Sequence, residues 1–234
     1  MKRFSSAQPD QGSSTRRSFL CGVVGLGAMA TSLTACSGAG PTLYTLAVVP
    51  SQQPQAGGPR YVEVRLPTIA SGLDRDRIVT KDTGYQLTVS KNDAWGDSLA
   101  GQVSRALAAD LAQRLPGTAV FAENDAVTTQ PEAYVELSIT RFSEGPDGRA
   151  EIEAALSIQA AEAGAPAGGT PFYLQRLRLQ GAASSGSVSL VRELSQLVGN
   201  IADVAAAQLR LLPVQIPQGA PSSRAPIPAG TVTR

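Results

Sequence analysis

The chain has 234 residues, 20 of them Lys or Arg and 19 Asp or Glu, and it contains no histidine. Lack of histidine excludes Ser-His-Asp and Cys-His nucleophilic sites and every His-ligated metal centre. The balanced, scattered charge is no footprint for nucleic acid or for anionic lipid headgroups.

Residues 1–15 form a polar leader rich in Ser and Gln. Thr15-Arg16-Arg17-Ser18-Phe19-Leu20 then has the form of a twin-arginine export signal, with Arg16 and Arg17 as its export residues. A weakly apolar, Gly/Ala-rich run extends from Cys21 to Leu33. A membrane-spanning helix needs about 20 predominantly apolar residues, and Gly22, Gly25, Gly27, Thr31, Ser32 and Thr34 dilute this run below that requirement. Gly25-x-Gly27 follows no strand and lies in a signal, so it is not a nucleotide loop.

Leu33-Thr34-Ala35-Cys36 resembles a bacterial lipobox. The resemblance implies cleavage just before Cys36, diacylation of its thiol and acylation of the new amino terminus. Cleavage by ordinary signal peptidase is the rival reading, and the cysteine at this position favours the lipobox. Each buried methylene contributes about 0.8 kcal/mol and one chain binds only reversibly, so three chains on Cys36 make a lasting anchor. Residues 36–42 become a lipidated stalk after a signal at 1–35. Ser37 in place of aspartate leans towards the periplasmic face of the outer membrane, with the outer leaflet of the inner membrane as the alternative.

Cleavage removes Lys2, Arg3, Arg16 and Arg17 against Asp10 alone, leaving 16 basic and 18 acidic residues. Cys21 leaves with the signal and Cys36 is acylated, so no disulfide forms even in an oxidising compartment. A hydrophobic core must hold the fold, and residues 43–212 suffice for one domain.

Within that domain Leu43–Val49 reads as a first strand closed by Pro50, and Ser51–Pro59 as a loop. Tyr61–Leu66 alternates with period two, placing Val62, Val64 and Leu66 on one face. Leu73–Val79 is a polar turn entering a strand whose hairpin partner, Tyr85–Val89, lies across Asp82-Thr83-Gly84. The first helix is expected from Trp95 to Leu115, capped by Asn92 or Asp93, with Asp97 near its positive end. Trp95, Leu99, Val103, Leu107, Leu111 and Leu115 form its apolar row, and Pro116-Gly117 stops it.

Thr118–Phe121 is a short strand. Tyr134–Phe142, Ala150–Ala160 and Phe172–Leu179 read as an antiparallel meander, with a turn at Gly145–Gly148 and a loop at Ala163–Thr170. Ile152, Ala154, Leu156 and Ile158 point inward. Val188–Leu211 is the second helix, capped by Ser187, with Leu190, Leu194, Leu197, Ile201, Val204 and Gln208/Leu209 as its stripe; core packing is the reading preferred over a coiled coil. Residues 213–234 form a Pro-rich, disordered tail. The sum is a single α+β domain: a mixed, largely antiparallel sheet with two amphipathic helices packed on one face.

In order, Leu43-Tyr44-Thr45-Leu46, Val62-x-Val64-x-Leu66-Pro67, Leu73-Asp74-Arg75-x-x-Ile78-Val79 and Trp95-x-x-x-Leu99 through Leu115-Pro116 resemble the ABC-type transport auxiliary lipoproteins, the PqiC/YmbA-like family. The resemblance covers roughly residues 41–212; its one departure is a longer spacer, Thr68–Gly72. It implies a non-enzymatic subunit with no catalytic residues, no cofactor and no metal. It also implies an MCE-domain protein as partner and, through it, an inner-membrane ABC transporter moving phospholipid or another hydrophobic compound between membranes. A homo-oligomer stays open. The alternative is a lipid-binding carrier enclosing an acyl chain in an apolar cavity.

Trp95 at a helix start is read as a core plug rather than a partner hot spot. Asp74-Arg75 is read as a turn-stabilising ion pair. Glu151 and Glu153 are read as carboxylates on a solvated strand face rather than an acid/base pair. Docking is expected on the folded domain, through shape and an open sheet edge rather than the tail.

Overall fold

A computed structural model describes residues 40–161 and 172–212. The export signal, the lipobox, Cys36, the Ala163–Thr170 loop and the Pro-rich tail all lie outside the described residues. The elements in chain order are β1 (Thr42–Tyr44), β2 (Tyr61–Val64), β3 (Thr68–Ile69), β4 (Arg77–Asp82), β5 (Leu87–Trp95), α1 (Leu99–Arg114), β6 (Ala119–Ala122), β7 (Ala133–Glu144), β8 (Arg149–Ala160), β9 (Tyr173–Ala183) and α2 (Ser187–Leu209).

β7 is the spine of a nine-stranded mixed sheet. One of its edges carries the long antiparallel ladder to β8, which continues to β9. Its other edge takes three short strands in succession, β2, β3 and β4, all parallel to it. β6 adds parallel to β2, β5 pairs antiparallel with β4, and β1 adds parallel to β5. The long ladders are therefore the antiparallel ones and the short ladders are mostly parallel. Thr140 is an extra residue in β7 between the pairs Ile139–Ala154 and Arg141–Glu153. Such a bulge shifts the two-residue alternation by one, so Ile139 and Phe142 both face the core.

Both helices pack on the sheet and on each other, α1 over β2, β3 and β6, α2 over β4 and β7–β9. The α+β reading holds. Ile152, Ala154, Leu156 and Ile158 are buried on the inner face of β8, opposite the leucines of α2. Each such large side chain contributes about 1.5–3 kcal/mol by leaving water. The α1 row is buried from Trp95 to Leu115, and in α2 Val204 is only half-buried because Ala205 takes the inward position.

Several boundaries differ from expectation. The first strand stops at Tyr44, since Leu46–Val49 finds side-chain rather than strand partners. Leu66 lies beyond the end of β2 and is exposed, while Pro67 is buried. Trp95 ends β5 instead of opening α1. Its side chain is still buried, with its ring 6.1 Å from that of Phe142, so the core reading holds. The N-cap of α1 is Ser98, whose Oγ accepts from the Gly101 amide at 3.2 Å; Asn92 and Asp93 lie within β5. Ser187 begins α2 rather than capping it. The cap position is Gly186, at φ 138°, and the Ser187 hydroxyl instead donates to Asp93 Oδ2 at 2.7 Å. The hydroxyls of Ser187 and Ser90 hold the Asp93 carboxyl below its ordinary range. β3 is only two residues long, too short to carry a period-two signal in the sequence.

Candidate functional site

The candidate site lies where the described chain begins. After β1, residues Thr45–Val49 run as a strap across the seam between α1 and α2. The Leu46 amide donates to Gln102 Oε1 at 3.0 Å, the Ala47 amide to Ser195 Oγ at 3.1 Å, and the Val49 amide to Asp110 Oδ1 at 2.6 Å. Arg114 Nη1 donates to the Val49 carbonyl at 3.1 Å and to the Asp110 carbonyl at 3.0 Å. Side chains of two helices thus supply the partners that a neighbouring strand would otherwise give.

Gln102, Ala106, Asp110 and Arg114 are spaced by four, which puts them on one face of α1. All four are buried. This second, largely polar row is why α1 carries less apolar contrast than α2. On α2, Gly199 makes room for the strap: a Cβ there would lie 2.9 Å from Val49 Cβ. Arg114 is also braced by Asp203 of α2, Nε to Oδ1 at 2.6 Å.

Burial pushes the Asp110 carboxyl up to about 6, helped by the negative charge of Asp203 and opposed by the Val49 amide and the Arg114 guanidinium. Its second oxygen, Oδ2, is buried without a hydrogen-bond partner among the described residues. Beside the strap, Leu46, Val48, Ala106 and Ala109 line an open groove of about 390 Å³, with the ion pair of Asp97 and Arg105 on its rim.

The outer face of the sheet carries charge networks. Arg141 lies 3.4 Å from Asp82 Oδ2, 3.5 Å from Glu151 Oε2 and 3.6 Å from Glu153 Oε1. Glu151 is 4% exposed and accepts from Gln180 Nε2 at 2.6 Å, while Glu153 also pairs with Arg178. The solvated-face reading of these two acids is corrected on that point: they are paired, and Glu151 is buried. A second cluster stacks the Arg65 guanidinium over the Tyr134 ring, with Glu136 at 3.5 Å. Asp74 and Arg75 form no ion pair; Arg75 Nε donates to the Gly72 carbonyl at 2.8 Å and holds the turn that way.

Among the described residues there is no group of three or more acidic or thiol side chains able to hold a metal ion, and no helix long and apolar enough to cross a membrane. Arg16, Arg17, Leu33, Thr34, Ala35 and Cys36 are not among those residues. The strap anchors escaped the sequence reading because Gln102, Asp110 and Ser195 read as ordinary polar interruptions of amphipathic helices. The four-residue spacing from Gln102 to Arg114 was the signal available.

The profile of the family described as ABC-type transport auxiliary lipoprotein component matches residues 44–206. The chain belongs to that family. Its members are auxiliary transport components rather than known enzymes, and membership implies a transporter as partner and a membrane-anchored, periplasmic lipoprotein. No curated protein matches. Among solved structures, one described only as an uncharacterized protein aligns at TM-score 0.56 and 18% identity, covering 73% of this chain and 99% of its own. Protein XCC0632 from Xanthomonas campestris aligns at TM-score 0.54 and 16% identity, covering 72% and 95%. At these identities the likeness is one of fold.

Proposed function

We propose that this protein is a lipid-anchored docking subunit that holds an MCE-domain protein at a membrane, on behalf of an ABC transporter moving phospholipid or a similar hydrophobic compound. The family match over residues 44–206, directly downstream of Leu33-Thr34-Ala35-Cys36, carries the reading. Arg16 and Arg17 direct export by the twin-arginine route, and Cys36 carries the acyl chains. Ser37 favours the outer membrane. The domain performs no chemistry of its own, and its surface supplies the docking contacts.

The second reading, a lipid carrier, draws on the groove beside the strap, whose volume of about 390 Å³ falls in the range of small-ligand sites. An open groove with an ion pair on its rim is a poor container for an acyl chain, which favours the docking role.

The two readings separate in one preparation. Full-length protein is extracted from its own membranes in mild detergent and captured through a C-terminal tag. Mass spectrometry of the eluate should show an MCE-domain protein in stoichiometric amount and no retained lipid beyond the Cys36 acyl chains. A bound phospholipid without any MCE-domain protein would reverse the choice.

A further inference from the structure

The strap is fastened differently from the rest of the domain. β1 is three residues long and, among the described residues, pairs only with β5. Beyond it, Leu46 is buried, whereas Thr45, Ala47 and Val48 are exposed and Val49 is half-buried. The surface beneath is polar where the strap touches it: Gln102, Asp110, Arg114 and Ser195 hold its backbone. Lifting this segment would expose polar groups that water can solvate, and the apolar side chains it would give up are the buried Leu46, the half-buried Val49 and Tyr44 of β1, which packs against the core. Segments with few buried apolar contacts are the ones that open below the free energy of global unfolding.

The lower end of this segment is a hinge. Gly57 and Gly58 have φ of 120° and 95°, in the region that glycine enters without strain. Directly after them Pro59 is buried, and its carbonyl accepts from Thr118 Oγ1 at 2.9 Å. Between strap and hinge the Gln55 amide donates to the Arg114 carbonyl at 3.1 Å, the only other main-chain tie to the helices among the described residues. Residues Thr42–Gly58 therefore form an arm with its own fastenings and its own pivot, ending where the folded core takes hold.

We infer that Thr42–Gly58 is a detachable section of the membrane tether, which peels from β5 and from the α1–α2 seam as one unit while strands β2–β9 and both helices stay folded. The inference rests on the reading of Cys36 as the anchor. With the arm docked, only the short stalk separates the domain from the bilayer. With the arm released, its residues span at most about 3.3 Å each and lengthen the reach by up to about 55 Å. The docking domain then follows a partner tip over that range without leaving the membrane.

Amide hydrogen exchange on the full-length acylated protein in detergent micelles tests this, read at Ala47 and Val49 in the strap and at Leu107 and Leu194 in the helices. The strap amides should exchange at least ~30-fold faster than the helix amides, and Leu156→Ala, which weakens the core, should accelerate the helix amides and not the strap. Gly199→Ala is the selective variant: its added methyl meets Val49 while alanine favours the helix. It should speed strap exchange about fivefold or more with no acceleration in α2. Strap amides that exchange at the helix rate, or that follow Leu156→Ala by the same factor, overturn the detachable arm. The intact mass of the same sample reports acylation of Cys36 separately. An unacylated chain would end the tether role through the anchor reading, whatever the strap does.

Discussion

The Val49 amide and the Asp110 carboxylate meet at 2.6 Å across 61 positions of sequence, which places a buried acid under the first backbone segment of the domain. Because burial raises the Asp110 pKa to about 6 from an unfolded value near 4, the folded protein binds a proton more readily than the unfolded chain. The stabilising contribution is therefore complete below about pH 4 and is lost as the pH rises through about 6. Asp110→Asn keeps an acceptor for Val49 and removes the titration. Urea denaturation between pH 4 and 8 should show the wild type losing roughly 1–2 kcal/mol relative to this variant as the pH rises. Parallel pH profiles for the two proteins would refute the assignment.

Arg141 is held among three carboxylates, one of them the buried Glu151. Truncating it strands that charge, and breaking a buried pair from one side costs about 3–5 kcal/mol. Arg141→Ala should accordingly move the denaturation midpoint well below wild type at pH 7, and Arg141→Ala with Glu151→Gln should recover part of the loss. A midpoint within experimental error of wild type for the single variant would show that Asp82, Glu151 and Glu153 need no counter-charge.

Legibility of the chain followed the physical signal. The period-two alternation around Ile152–Ile158 and the leucine stripe of α2 were strong because each element buries one face continuously. Trp95 is a core residue by either reading, but its four-residue spacing to Leu99 mimics a helix although β5 delivers it. The strap was invisible for a different reason. Leu43–Val49 has strand composition throughout, yet from Leu46 to Val49 its backbone partners are side chains contributed from 56 to 148 positions away. Nothing local distinguishes such a segment from a strand. Arg65 over Tyr134 and Arg141 among its acids likewise depend on register, which alternation does not reveal.

The lipid anchor makes the sharpest prediction about Cys36. Cys36→Ser removes the acyl acceptor, so the variant should accumulate as an uncleaved precursor or as soluble protein. Membrane fractionation with intact-mass analysis reads both outcomes. A variant processed at the same bond and sedimenting with membranes as wild type does would end the lipoprotein reading for this cysteine.

The proposed twin-arginine route would depend on the guanidinium pair at Arg16 and Arg17. Replacing both with Lys keeps the charge while removing the planar, multidentate donors that distinguish arginine. Translocation should stop, leaving precursor in the cytoplasmic fraction. Normal export of the double variant would assign the chain to the general secretory route and leave the Cys36 anchor untouched.

The last prediction separates the folded domain from the tail as docking surface. Residues 213–234 contain few large apolar side chains with which to hold a partner. The domain offers an exposed strand: β9 is an eleven-residue strand paired only with β8 among the described residues, and its exposed side chains include Leu174 at 65% and Arg176. An extended partner segment can add to such an edge through main-chain hydrogen bonds. Deleting Val214–Arg234 should thus leave capture of an MCE-domain partner within about twofold of full length at matched expression, a change of only ~0.4 kcal/mol. Pull-down with both forms, followed by quantitative blotting, decides it. Capture lost on truncation alone would move the interface to the tail.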